Sequence, residues 1–263
     1  MGQEKNEIKE LLLHRISDHE AELFEWNDYK IGYFIQKNLA KSEENEDILF
    51  FYGKDDFCFF GVCDGAGGHP NAADASYLVG ETIFQYVRTH KPEEFQIIEM
   101  IEKANDRVIE AFPEAFTTLS LCFLHKNEIR SYSVGDSEIQ YINHKAEVLY
   151  NNIPHSPVGH AVEAGLLSQE ESLDHNERYV VNNLMGDETL RIEACSKFKL
   201  SKNDTVIVGS DGIFDNLSHE ELSSILSKKN FNSKFKELSE YCLKRDESWR
   251  KDDDVSFLLL QSK

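Results

Sequence analysis

Two apolar, aromatic-rich runs, ILFFYGKDDFCFFGVC over residues 48–63, constrain the fold of this chain more than any other stretch. Aromatic and β-branched residues favour strands, and the Gly-Lys-Asp-Asp between the runs is typical of a turn, so the stretch predicts a β-hairpin. The second run stops at Asp64, and four of the next five residues are Gly or Ala. A hairpin turn needs only one or two glycines. The bare backbone beside a carboxylate therefore indicates a binding site.

Blocks of helices and blocks of strands follow one another along the rest of the chain. Apolar residues at helical spacing predict helices over residues 6–24, 75–87, 97–109 and 235–242. Two capping boxes open further short helices, at Ser168-x-x-Glu171 and Ser218-x-x-Glu221. Apolar runs predict the other strands, at DYKIGYFIQKN, TTLSLCFLH, EIRSYSVGD, EIQYIN, DTVIVGSDG and DDDVSFLLL. These blocks indicate one domain over residues 1–263, of class α+β, with packed sheets, outer helices and a helical extension over residues 1–25.

The charge balance limits the partners that this chain can have. It contains 28 Lys and Arg residues against 48 Asp and Glu residues, a formal net charge of −20. An acidic surface repels nucleic acid and anionic membranes, and no apolar run approaches the length of a membrane span, so we expect neither partner. An acidic excess also destabilises the folded chain unless some carboxylates are neutralised, which bound divalent cations would do.

The five cysteines indicate the cellular compartment. Their number is odd, they form no C-x-x-C pair, and three lie in apolar strand-like runs, where a free Cys behaves as a small buried hydrophobe. This pattern favours a reducing compartment. The first residues, MGQEKNEIKELLLHR, match neither a signal peptide nor an anchor, so we expect a cytoplasmic protein.

Aspartates stand where predicted strands end or begin. These residues are Asp47, Asp64, Asp136, Asp211 and Asp253. One such aspartate is usually a turn former. Five in one compact domain indicate a shared site if the topology gathers those strand ends. Carboxylates beside a glycine carbonyl, with no His or Cys cluster, suit Mg²⁺ or Mn²⁺ rather than zinc.

Several other catalytic motifs are absent from the sequence. The chain has no G-x-x-x-x-G-K-[ST] loop, no H-E-x-x-H and no G-x-S-x-G. No cysteine is followed by Arg six positions later, so thiol-based phosphoryl transfer lacks its anion clamp. DDDVS fits the D-x-D of aspartyl-phosphate enzymes, but that motif should end a strand and this one begins a strand.

Six motifs in chain order resemble the metal-dependent type 2C family of Ser/Thr protein phosphatases, and most of all its compact bacterial members. The resemblance covers about residues 30–261. The motifs are NED, VCDGAGGH, TTLSLCFL with SVGDSEIQY, HSPVGHAVEAGLLSQEE, VIVGSDGIFDNLSHEEL and DDDVSFLLL. The resemblance implies a four-layer α/β/β/α sandwich with two central antiparallel sheets and a metal site at one edge of them.

The resemblance also implies a role for each acidic residue. Asp64 would bridge two Mg²⁺ or Mn²⁺ ions, and the Gly65 carbonyl would bind one of them. The other implied positions are Asp211 and Asp253 on the other ion, Asp47 on the second ion's water shell with Glu46 nearby, and Asp136 on a third, weaker ion.

The activity that the resemblance implies needs no protein nucleophile. A water shared by two metal ions would attack the phosphorus of phosphoserine or phosphothreonine in a protein, and the ions would neutralise the charge on the phosphate oxygens. The expected partner is a phosphorylated protein, with a Ser/Thr kinase acting in opposition. We expect a monomer, with a flap over about residues 151–190.

Departures from the family pattern leave alternatives open. Ser42 stands where relatives carry a phosphate-binding Arg, and we hypothesise that Lys41 reaches the phosphate instead; the alternative is that Lys41 is a solvated turn residue. Ala66 stands where relatives carry His or Met, which removes a general acid. Asp254 replaces the usual Asn, so either Asp253 or Asp254 could be the ligand, and alignment with the strand favours Asp253.

The missing Arg also supports an alternative function, a pseudophosphatase or partner-binding module that keeps the fold.

Overall fold

The computed structural model describes residues 8–40, 44–244 and 251–263. Its strands are β1 (Lys9–Leu13), β2 (His19–Trp26), β3 (Tyr29–Gln36), β4 (Asp47–Lys54), β5 (Phe57–Asp64), β6 (Leu119–His125), β7 (Glu128–Val134), β8 (Glu138–Ile142), β9 (Val148–Asn151), β10 (Glu193–Ala194), β11 (Phe198–Lys199), β12 (Thr205–Gly209) and β13 (Val255–Ser262). Its helices are α1 (Ala72–Thr89), α2 (Ile97–Ala111), α3 (Pro157–Glu163), α4 (Gln169–Leu173), α5 (Asp211–Phe214), α6 (His219–Leu226) and α7 (Phe231–Lys244), with a 3-10 turn at Pro92–Glu94. None of these helices is long and apolar enough to cross a membrane.

The strands form two antiparallel sheets. In the first sheet the order is β1-β4-β5-β6-β7-β10, and β11 also pairs with β7. In the second sheet the order is β2-β3-β13-β12-β8-β9. The predicted hairpin is confirmed as β4 and β5, which lie at the centre of the first sheet.

Three hydrophobic cores separate four layers of structure. In β4, Ile48, Phe50 and Tyr52 face α1 and α2, whereas Leu49 and Phe51 face the second sheet. The alternation follows from the period of two along a strand. A third core lies between the outer face of the second sheet and α5, α6 and α7. The predicted α/β/β/α sandwich of class α+β is therefore confirmed.

The described N-terminal residues form strands, so the predicted helix over residues 6–24 is wrong there. β1 pairs with β4 at the edge of the first sheet, and β2 pairs with β3 at the edge of the second. Leu12 packs against the core beneath α1 and α2, whereas Leu11 and Leu13 pack between the sheets. Because both faces of β1 are partly buried, three consecutive leucines hide the alternation of a strand. Residues 8–25 are thus part of the two sheets, not a helical extension.

Helix α3 begins inside the segment NNIPHSPVGH, for which the sequence analysis predicts only a loop. Ser156 caps this helix, since its Oγ accepts a hydrogen bond from the Gly159 N–H over 2.9 Å, and Pro157 occupies the first turn. Both residues are typical of helix starts. The two predicted capping boxes are confirmed at the starts of α4 and α6.

Strand ends that carry aspartates meet at one edge of the sandwich. Asp47 begins β4 and lies opposite Asp64, which ends β5. Ser210 directly follows β12 in the second sheet, and its Oγ donates to Asp47 Oδ2 over 2.8 Å. The same Oγ accepts from the Ser256 N–H of β13 over 3.1 Å. Ser210 therefore joins the two sheets at the edge where the predicted site residues lie.

Candidate metal centre

A cleft of about 350 Å³ opens at this edge of the two sheets. Five of the predicted metal-site residues line it, namely Asp64, Gly65, Asp136, Asp211 and Asp253. Lys251 lines it as well, and one wall is formed by Tyr179, Val180, Val181 and Leu184 from the segment 151–190.

Asp64 is fixed at the end of β5 by hydrogen bonds to its backbone. Its N–H donates to Thr118 Oγ1 over 2.9 Å, and its carbonyl oxygen accepts from the Thr118 N–H and the Thr117 hydroxyl, both over 2.8 Å. Gly65 follows where the chain passes the first turn of α1. A Cβ at Gly65 would lie 2.7 Å from the Ala72 carbonyl oxygen, so the close approach of the helix requires glycine.

Asp47 and Glu46 lie behind the lining of the cleft. The Asp47 carboxylate is fully buried, and its Oδ1 has no hydrogen-bond partner among the residues that the structure describes. Burial, and then the negative charge of Asp254, raise the pKa of Asp47 to about 7. The Glu46 carboxylate faces the glycine loop, because its Oε2 lies 3.5 Å from the position that a Gly67 Cβ would take.

Lys251 places its ammonium group among three carboxylates. The residue is buried, and Nζ forms an ion pair with Asp211 Oδ2. Asp253 Oδ2 and Asp215 Oδ2 lie 3.5 and 3.7 Å from the same nitrogen. Lys251 is not among the site residues that the sequence predicts, although it stands two residues before Asp253. Its position inside the cleft depends on contacts between distant segments, which a single sequence does not reveal.

Asp253 and Asp254 have different surroundings. Asp254 is buried, and its two carboxylate oxygens accept from the Asn38 N–H over 2.7 Å and from the Glu46 N–H over 2.9 Å. Asp254 therefore holds two backbone segments together. Asp253 lines the cleft, and its Oδ1 accepts from the Asp254 N–H over 2.9 Å. Of the two residues, Asp253 is the one in the cleft.

Asp136 lies between the cleft and a smaller cavity of about 110 Å³. Glu138 and Asp215 line the smaller cavity, and each has one buried carboxylate oxygen without a hydrogen-bond partner in the described part of the chain. Burial raises the pKa of Asp136, and burial raises the pKa of Glu138 to about 7. Acidic side chains are thus concentrated on both sides of Asp136.

The donor set of the cleft fits a hard divalent cation. Burial, and then the charges of Asp47 and Asp253, raise the pKa of Asp64 well above its usual range, so a cation bound beside it would stabilise its ionised form. Asp211 Oδ1 is buried without a hydrogen-bond partner among the described residues. The donors are oxygens, the ligands that Mg²⁺ and Mn²⁺ prefer.

The carboxylates do not form a closed cage. Within residues 8–40, 44–244 and 251–263, no three His, Cys, Asp or Glu side chains are grouped closely enough to hold one ion. Mg²⁺ usually keeps several of its waters and takes only one or two carboxylates directly. An open set of oxygens therefore suits a hydrated Mg²⁺ or Mn²⁺ ion better than zinc. Lys41 and Ser42, on which the phosphate-binding hypothesis depends, lie outside the described residues.

Comparisons with known proteins identify a matching family model and similar proteins. A family model described as Protein phosphatase 2C matches residues 36–252. A Streptococcus pyogenes protein with the name "Putative protein phosphatase 2C-type" is 27% identical over 200 residues, which cover 72% of this chain and 81% of that protein.

Two solved structures show the same fold. The serine/threonine phosphatase Stp1 from Staphylococcus aureus has a TM-score of 0.78 at 21% identity, over 89% of this chain and 94% of that one. The catalytic domain of the serine/threonine protein phosphatase PstP, in complex with two manganese ions, has a TM-score of 0.72 at 18% identity, over 89% and 97% of the two chains.

Proposed function

Because this chain belongs to the protein phosphatase 2C family, we propose that it hydrolyses phosphoserine and phosphothreonine in proteins and that it depends on divalent metal ions to do so. One observation carries the proposal. Carboxylates beside the ends of β5 and β12 and before the start of β13 line a single cleft together with one buried ammonium group, that of Lys251.

Each residue of the cleft has a proposed part in this reaction. Asp64 would lie between two ions, with the Gly65 carbonyl on one of them and Asp211 and Asp253 on the other. When bound, the ions would supply a water of lowered pKa and positive charge for the phosphate oxygens. The carboxylates alone repel a phosphate dianion, so substrate binding should also depend on the ions.

The remaining acidic residues would have supporting parts in binding the ions. Asp47, held by Ser210, would accept hydrogen bonds from water around one ion, and Glu46 stands beside it. Asp136, with the acidic cavity behind it, would help to hold a third and weaker ion. We propose Mn²⁺ or Mg²⁺ as the ions, and the two manganese ions of the related PstP domain support that choice.

The open wall of the cleft supports a protein substrate. Tyr179 and Val180 border the cleft and are 58% and 46% exposed, so they can contact a peptide that carries the phosphate. A kinase that acts in opposition, a monomeric state and a cytoplasmic location stay predictions of the sequence.

Phosphate release from phosphoserine and phosphothreonine peptides tests the proposal. Protein freed of metal with a chelator should be inactive, and turnover should rise as Mn²⁺ or Mg²⁺ is added. Asp253→Asn should lose this response. Asp252→Asn, which changes the exposed neighbouring residue, should keep it. Metal-bound wild-type protein that binds phosphopeptide without releasing phosphate would instead support the pseudophosphatase alternative.

A further inference from the structure

Lys251 is anchored in the cleft through its backbone as well as its charge. The Lys251 N–H donates to Asn216 Oδ1 over 2.8 Å, and Asn216 Nδ2 donates back to the Lys251 carbonyl oxygen over 2.9 Å. The same Nδ2 donates to the Gly212 carbonyl oxygen over 2.8 Å, and Asn216 is fully buried. This clamp ties Lys251 to α5, the helix that begins with Asp211.

The ammonium group of Lys251 is placed where the cleft needs positive charge. Lys251 is only 6% exposed, and Nζ is within ion-pair distance of Asp211, Asp215 and Asp253. Nζ also lies 5.6 Å from the centre of the Tyr179 ring, a cation–π distance. Burial of an ammonium group costs free energy, and carboxylate partners offset that cost. Lys251 therefore acts as an internal counter-ion of the carboxylates.

A divalent ion could not share Asp211 and Asp253 with this ammonium group. The two cations would lie within a few ångströms of each other, where like charges repel strongly in a poorly solvated site. Ion binding to this pair of aspartates therefore requires Nζ to move away. The flexible four-carbon stem of lysine allows this movement toward the open side of the cleft while the clamp on the backbone stays in place.

We propose that Lys251 is a built-in competitor of the divalent ion for Asp211 and Asp253. The ammonium group neutralises these carboxylates when no ion is bound and leaves them when an ion binds. The inference rests on the proposed metal-dependent function. It implies that the chain binds this ion more weakly than the same carboxylates would without Lys251.

Calorimetric titration of the metal-free full-length chain with Mn²⁺ tests the proposal. Lys251→Met removes the charge and keeps the length of the stem, and Lys251→Gln does so with a polar end if the first variant folds poorly. We expect both to bind Mn²⁺ at least about tenfold more tightly than wild type, which equals ~1.4 kcal/mol. Lys234→Met is the matched control, because Lys234 is also buried but contacts Thr205 on the other side of the second sheet. Its Mn²⁺ affinity should equal that of wild type.

The outcomes separate this inference from the proposed function. Equal Mn²⁺ affinity in wild type and both Lys251 variants would overturn the role of Lys251 and leave the proposed function standing. No Mn²⁺ binding by any of the proteins would overturn both.

Chemical labelling of the unaltered chain gives a second measurement. Acetic anhydride acetylates accessible lysines, and mass spectrometry reports the extent at each residue. If Mn²⁺ displaces Lys251, its labelling should rise several-fold at saturating Mn²⁺, while that of buried Lys234 should not change. Unchanged or lower labelling of Lys251 in the ion-bound chain would contradict the proposal.

Discussion

At the scale of single residues, the Asp64 carboxylate has a proposed part in the reaction and at the same time destabilises the metal-free fold. Burial and the nearby charges of Asp47 and Asp253 raise its pKa, so its ionised form destabilises the metal-free fold. Asp64→Asn removes that charge. We expect phosphopeptide turnover to fall at least about 100-fold, since even indirect partners of a metal site change affinity by up to that amount. The metal-free variant should unfold about 2–4 °C higher, the shift expected for ~1 kcal/mol in a chain of this size.

Asp56→Asn provides the control for this variant, because Asp56 is exposed in the turn before β5, at the opposite end from Asp64. Thermal unfolding in chelator and Mn²⁺ calorimetry would be measured on both proteins. Normal turnover in Asp64→Asn would exclude a shared metal ligand at this position. A lower unfolding temperature would show that the carboxylate supports the fold.

The neighbouring residues Asp253 and Asp254 should respond differently to the same substitution. Asp254→Ala leaves the buried N–H of Asn38 and the partly buried N–H of Glu46 without acceptors, at a cost of up to about 1–3 kcal/mol for each donor. Asp253→Ala should reduce Mn²⁺ affinity more and the free energy of unfolding less. Urea unfolding in chelator and calorimetry would rank the two variants. The opposite order would assign the metal ligand to Asp254.

At the scale of elements, the sequence predicted what depends on local pattern and missed what depends on distant contacts. The β4–β5 hairpin and helices α1 and α2 follow from apolar periodicity and were correctly predicted. β1 was mistaken for a helix because Leu11, Leu12 and Leu13 contact two different cores, which erases the alternation. α3 has a typical helix start at Ser156 and Pro157, although its segment as a whole is predicted as a loop.

In the candidate site too, the residues marked by a local pattern were predictable and the residue placed by distant contacts was not. The aspartates at strand ends could be found because each interrupts an apolar run, and the fold then gathers them in one cleft. Lys251 could not be found in this way, because its burial depends on Asn216, which lies 35 positions away in the chain. A charged residue in an acidic stretch is otherwise typical of a solvated surface.

Helix α7 carries a buried charge that should reduce the stability of the fold. Lys234 is buried, its Nζ donates to Thr205 Oγ1 over 3.1 Å, and burial lowers its pKa. Thr205 Oγ1 also accepts from Gln261 Nε2 over 3.2 Å, so it keeps a partner if the lysine is replaced. We therefore expect Lys234→Met to raise the free energy of unfolding at pH 7 by about 1 kcal/mol, measured with urea.

The gain from Lys234→Met should depend on pH. The folded pKa of Lys234 lies below its unfolded value, so below the folded pKa both states are charged and wild type bears the whole cost of burial. As the pH rises through the folded pKa, the folded lysine loses its proton, and wild type approaches the variant in stability. Lys236→Met, at an exposed position on the same helix, should show no such trend. The cost of burying the Lys234 charge would be contradicted if Lys234→Met were less stable than wild type at pH 7. It would also be contradicted if the difference in free energy of unfolding between the two proteins did not change with pH.

At the scale of the whole molecule, a net charge of −20 separates two effects of added ions. Salt screens repulsion over the entire acidic surface, so it should raise the unfolding temperature of the metal-free chain. Mn²⁺ should add a second increase by binding the folded cleft. At a free Mn²⁺ concentration of about 100 times its dissociation constant, binding adds ~2.7 kcal/mol to the free energy of unfolding. For a chain of this size that raises the unfolding temperature by roughly 5–10 °C.

The two effects can be separated by measuring thermal unfolding with and without Mn²⁺ at low salt and at about 0.5 M NaCl, where screening acts over only ~4 Å. Because the carboxylates of the cleft are buried or partly buried, salt screens them poorly, and most of the increase due to Mn²⁺ should remain at high salt. Asp64→Asn should keep the response to salt and lose the response to Mn²⁺, since it changes the cleft but hardly the net charge. If the increase due to Mn²⁺ disappears at high salt in wild type, the ion acts on the acidic surface as a whole and the cleft is not a specific site.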